Sequence, residues 1–197
     1  MKKSSLLFML LMAALAIISC NDASQETTAG TENAVENAKD ETIGTDQQVG
    51  DSSSKMDEAD FMAKAASGGM MEVELGKLAQ QKAKNARVKK FGAMMVKDHT
   101  QANTELKALA ANKNVSIPPA MNEEHQKHVS EMREKTGDAF DKAYMSMMVD
   151  DHQKDVSDFE GASNKAGDAN LKAFAAKTLP VLRMHLDSAK AINGNMK

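Results

Sequence analysis

Glu72, His99, His152 and His185 are the side chains of this chain best suited to chemistry. Two of these histidines close a doubled motif. Phe91 to His99 reads FGAMMVKDH and Tyr144 to His152 reads YMSMMVDDH. Each copy is an aromatic residue, three residues, Met-Val, one residue, then Asp-His. Mixed imidazole and carboxylate donors suit zinc, iron, manganese or copper. The same residue types also build buried Asp/Glu-to-His hydrogen-bond networks that fix helix register, because a half-satisfied polar group in a core is costly. In that second reading Asp98 and Asp151 partner the histidines.

A di-iron bundle places a Glu three residues before its histidine. Here those positions hold Val96, Val149 and Leu182. That departure removes the bridging carboxylates, and ferroxidase or oxygenase chemistry with them. Met70-Met71, Met94-Met95, Met147-Met148 and Met184 lie close to the histidines in sequence. Thioethers beside imidazole suit Cu(I); methionine is equally a flexible filler for a core short of aromatic residues. His125 and His128 sit among Asn122, Glu123, Glu124 and Lys127, which predicts a solvated face. No Gly-x-Ser-x-Gly elbow, phosphate loop or His-Glu-x-x-His motif occurs. The composition thus favours a non-enzymatic binding or interaction module. The alternative is a metal-binding or metal-dependent redox protein that uses the core histidines.

These side chains need helices to hold them. Apolar residues recur at spacings of three and four from Asp57 to Lys82, and again from Val88 to Leu109 after an Asn85 cap. Pro118-Pro119 forces an extended segment. A short helix is expected from Met121 to Lys135, ending at Gly137. Asp138 is then the expected cap of a helix running to about Lys165, and Asp168 the cap of the last one. Pro180 predicts a kink there or a helix in two pieces. Nothing reads as a strand. Two hairpins joined by a long crossover give an all-α, ferritin-like four-helix bundle with a short extra helix in the crossover. Glu72 then lies level with Asp98-His99, whereas His185 falls about five residues, or ~7 Å, from the level of His152.

The ends of the chain read differently. Lys2-Lys3, an apolar run from Leu6 to Ile18 and Ser19-Cys20 form a signal peptide over 1–19. Its end resembles a lipobox, so Cys20, the single cysteine, is the expected lipidation site. Residues 20–55 then form an acidic tether, since Asn21 to Lys55 carries eight acidic residues and two lysines without an aromatic. Residues 56–197 carry a net charge of +1, which gives no electrostatic case for nucleic acid. The expected partner is a membrane, reached through the lipid on Cys20; the expected address is the cell envelope, with the domain on the periplasmic side or surface of the outer membrane. No protein partner can be named.

Several motifs together resemble a known family. They are Gly69-Met70-Met71-Glu72-Val73-Glu74-Leu75-Gly76, the Phe91-to-His99 motif, Gly137-x2-Phe140-Asp141-x2-Tyr144, and Leu179-Pro180-x4-His185-Leu186. In this order they resemble the bacterial domain of unknown function 4142, across about Asp57 to Ile192. The resemblance implies a ferritin-like helical fold and an envelope location, and no established activity.

Overall fold

The computed structural model describes residues 56–196. The signal peptide, Cys20 and the acidic tether lie outside the described residues. Five helices follow one another: α1 (Glu58–Lys82), α2 (Ala86–Asn112), α3 (Glu123–Arg133), α4 (Gly137–Lys165) and α5 (Ala169–Asn193). There is no strand among the described residues, and no described helix is long and apolar enough to cross a membrane.

Local chemistry starts the helices. Asp57, Asn85, Asn122 and Asp168 each accept a backbone N–H of the first turn through their side chains. Asp138 is not a cap. α4 starts two residues earlier than that cap implies, at Gly137 (φ +58°), with Thr136 in the cap position and no side-chain cap bond. Only glycine takes that left-handed value freely, so the glycine turns the chain into α4 instead of ending α3. The short helix is correspondingly shorter than the sequence suggests, because Asn122 sets its start. α5 is one continuous helix through Pro180. Pro180 and Ala176 are both exposed, so the carbonyl that the proline leaves unbonded faces water.

α1 packs along α2, and α4 along α5. Across the seam α1 faces α4 and α2 faces α5. Two acidic clasps fix the directions. Asp141, near the start of α4, accepts the backbone N–H groups of Lys84 (3.1 Å) and Asn85 (2.8 Å) in the α1–α2 turn. Glu58, at the start of α1, accepts those of Gly167 (2.7 Å) and Asp168 (2.9 Å) in the α4–α5 turn. Both clasps hold only if α1 runs antiparallel to α4, and α2 antiparallel to α5. This is the up-down-down-up order of a ferritin-like bundle. α3 lies in the crossover, against α1 and the start of α4.

The apolar core is in two parts. Met71, Leu75, Phe91, Met95, Tyr144 and Met148 belong to one cluster, toward the α1–α2 turn. Phe61, Met62, Leu106, Phe159, Phe174 and Leu182 belong to the other. Glu72, His99, His152 and His185 are buried between them and belong to neither. Within the first hairpin the backbones touch: a Cβ on Gly76 would lie 2.7 Å from the Gly92 carbonyl oxygen.

Gly76→Ala should therefore lower stability by about 1–3 kcal/mol in urea denaturation, because a rigid backbone atom must move. Gly161→Ala is the control. Its Cβ would meet only Met56 Cε at 3.5 Å, so a gain of ~0.4–1 kcal/mol is expected. Equal effects at the two sites would contradict the close backbone contact.

Candidate metal centre

The doubled motif places its two copies on diagonal helices that run parallel, related by a pseudo-twofold axis down the bundle. Its aromatic ends meet across the core, with Phe91 and Tyr144 edge to face at 6.1 Å. Its histidine ends meet as well, with the His99 and His152 rings 5.6 Å apart. His185 from α5 completes the group at 5.3 Å from each. The offset expected between His152 and His185 shrinks to ~4.5 Å, about three residues, because the turn is centred near residue 167. Helical side chains lean toward their own N-terminus. On these antiparallel helices His152 leans away from the turn and His185 toward it, which closes the gap. Glu72 and His99 repeat this geometry around the other turn.

Each histidine turns its outer nitrogen to a polar partner. His99 Nδ1 lies 2.8 Å from Glu72 Oε2. His152 Nδ1–H donates to the Met148 carbonyl at 3.0 Å. His185 Nε2–H donates to Asp98 Oδ2 at 3.0 Å. The nitrogens left over are His99 Nε2, His152 Nε2 and His185 Nδ1. His152 Nε2 and His185 Nδ1 face each other at 3.3 Å, and His99 Nε2 is buried without a hydrogen-bond partner among the described residues. One nitrogen of each of the three rings lies within 4.8 Å of the other two. Metal-bound imidazole depends on this kind of outer hydrogen bond, which fixes the tautomer and aims the free lone pair.

Burial works against protonating these rings. It holds His99 down to about 4, and His152 well below the usual histidine value with help from the neighbouring imidazoles. His185 is lowered too, chiefly by burial, against the pull of Asp98. Carboxyls nearby move the other way. Burial, then repulsion from Asp151, raises Glu72 well above the ordinary range. Burial and Glu72 do the same to Asp155. Burial also pushes Asp151 up to about 6 and raises the phenol of Tyr144, whose hydroxyl has no partner among the described residues.

Glu72, His99, His152 and His185 thus come together, and Asp98 joins them through His185 instead of through its neighbour His99. Asp151 does not: its Oδ2 is buried and unpartnered among the described residues. The pseudo-symmetry explains this, since the place that His185 takes opposite Asp98 is taken by Glu72 opposite Asp151. An acid meets an acid there, and they repel. Asp155 is the residue that sequence reasoning missed. It forms a second group with Glu72 and His152, with ligand atoms again within 4.8 Å. Its signal was its place three after His152 and four before Phe159, on the inward side of α4, although the neighbouring Val156 fits the apolar spacing as well. The face of His125 and His128 is not a solvated one. Both are half-buried, and His125 Nδ1 accepts from Ser67 Oγ at 2.7 Å, so α3 is pinned to α1. Met71, Met95 and Met148 pack in the apolar cluster, and Met184 is exposed.

A family model described as "Domain of unknown function (DUF4142)" matches residues 44–192. No curated protein matches the chain. A solved structure titled "CopM in the Cu(II)-bound form" is similar, with a TM-score of 0.61 at 14% identity over 71% of this chain and 97% of that one. At that identity the likeness establishes a shared helical-bundle fold.

Histidine linkage sets a pH test on metal-free protein. His99 has a folded value of about 4 against 6.5 in the unfolded chain, so between those values the unfolded state binds the extra proton. Its contribution is complete above pH 6.5 and is lost as pH falls toward 4. Wild type should therefore lose roughly 2–4 kcal/mol relative to His99→Gln across that window, read from paired urea melts. A pH-independent difference would show that His99 is not held neutral.

Proposed function

The chain belongs to the DUF4142 family, and we propose that it is a non-enzymatic metal-binding module of the cell envelope, holding one transition-metal ion through His99, His152 and His185. The contact between His152 Nε2 and His185 Nδ1 carries this reading. Both outer nitrogens face pure acceptors, so both inner nitrogens are bare when the rings are neutral. Two bare lone pairs at 3.3 Å repel unless a cation lies between them. Burial disfavours a proton there, and a proton shared by two rings would leave His99 Nε2 unmet. A single ion with metal–nitrogen bonds of ~2.0–2.1 Å holds tetrahedral donors about 3.4 Å apart, close to the spacing already present.

Three imidazoles suit copper, zinc, iron or nickel, and affinity peaks at Cu(II) among divalent first-row ions. The bundle similar to this one is titled in a Cu(II)-bound form, which adds support for copper as the first ion to test. Glu72 and Asp98 hold the rings, and no methionine sulfur is needed. Protein purified without an affinity tag and stripped with chelator should take up one equivalent of Cu(II) or Zn(II) in calorimetry and gain thermal stability. His99→Ala/His152→Ala/His185→Ala should abolish both responses. A wild-type chain whose melting ignores every divalent ion would leave only the structural role.

A lipid on Cys20 would tether the module to a membrane through the acidic segment. Labelled palmitate should enter the wild-type chain in a bacterial host and not Cys20→Ser. Labelling of both would place the lipid elsewhere, and labelling of neither would remove the anchor.

A further inference from the structure

Beneath α3 a cavity of about 450 Å³ opens between α1, α3 and α4. Its wall includes Gly68, Glu72, His128, Asp151 and Asp155, so it reaches from the surface to the edge of the histidine centre. The wall also carries Lys64 and Lys154, which are already paired with Asp60 and Asp158, and the exposed Lys165 at the C-terminal end of α4. What remains uncompensated on the inner wall is acidic. Three of its buried polar atoms have no hydrogen-bond partner among the described residues: Glu72 Oε1, His128 Nδ1 and Asp151 Oδ2. Glu72 is only 2% exposed, and its second oxygen is committed to His99. Its other oxygen shares the cavity with Asp155, whose carboxyl comes within the 4.8 Å group that Glu72 and His152 define and is close enough to share a proton with Glu72. His152 Nδ1 lies 3.5 Å from that oxygen and stays bound to the Met148 carbonyl.

We propose that Glu72 and Asp155 form a second, oxygen-donor cation site, and that a divalent metal ion passes through it from the cavity beneath α3 to the three histidines. The inference rests on the metal-binding reading above and adds to it a route and a way-station. Two carboxylates with water from the cavity make a hard, weaker site than three imidazoles, which suits an ion in transit. An ion that enters takes the place of the protons that burial keeps on Glu72 and Asp155. His128 and Asp151 line the approach with further unpartnered donors. A groove on the opposite side, lined by Asp98, Lys97, Lys177 and His185, is the competing entrance. There Asp98 is committed to His185, and Lys177 to Glu105.

Cobalt(II) is the probe, added to the chelator-stripped full chain, with visible absorption reporting imidazole ligation and calorimetry counting equivalents. Wild type should bind two ions, one strong with an intense spectrum and one weaker. Asp155→Asn should lose the weaker equivalent, keep the spectrum, and load roughly tenfold more slowly. Gly68→Leu, which narrows the cavity and removes no donor, should slow loading while leaving both equivalents in place. His99→Ala/His185→Ala should keep the weak equivalent and lose the spectrum. If wild type binds one ion and neither Asp155→Asn nor Gly68→Leu slows it, the second site and its route are wrong and the histidine site stands. Wild type that binds no cobalt sinks both readings.

Discussion

Everything in this bundle is arranged around the repulsion between like groups in a layer mostly shielded from water. Three imidazoles and two carboxyls are packed between two apolar clusters, where an isolated charge is costly and an unpaired lone pair has few partners to turn to. The protein settles the outer half of each histidine with a polar group of fixed position: a glutamate, a main-chain carbonyl and an aspartate. That choice drives the unsettled halves toward one point. The polar layer is therefore organised around that one point.

Symmetry supplies the framework and asymmetry the chemistry. The doubled motif sets matching aromatic and histidine pairs on α2 and α4, and the two acidic clasps mirror one another at opposite ends. On α1 and α5 the match fails: one offers Glu72 where the other offers His185. With a histidine in both places the layer would have four rings and two satisfied aspartates. The glutamate instead leaves Asp151 Oδ2 without a hydrogen-bonded partner among the described residues and creates the carboxyl pair with Asp155. One side of the centre is closed by hydrogen bonds, and the other opens toward the cavity under α3.

Much of this was legible in the residues. Periodicity, the Asn85 and Asp168 caps and the lengths of the connections carried the hairpins and their order, because these are local properties. Glu72 and the histidines were visible as polar interruptions of apolar stripes. Asp155 was hidden by its neighbour, because Val156 satisfies the apolar spacing and leaves no interruption to mark the acid beside it. The Ser67–His125 bond was out of reach for a different reason, since it joins residues fifty-eight apart on helices whose contact no periodicity encodes. The start of α4 was misread because Gly137 can close one helix or open the next, and only its φ decides.

Where the molecule can yield follows from the touching glycines. With Gly76 against the Gly92 carbonyl, α1 and α2 have no side-chain layer between them to deform at that point, so the first hairpin is stiff there. The second hairpin meets it through side chains and through clasps at the two ends. The compliant direction of the molecule is then the seam between hairpins, and the histidines straddle that seam, with His99 on one side and His152 and His185 on the other. Occupancy of the centre would act as a rivet: it joins two stiff plates at mid-height and turns a hinged pair into one body.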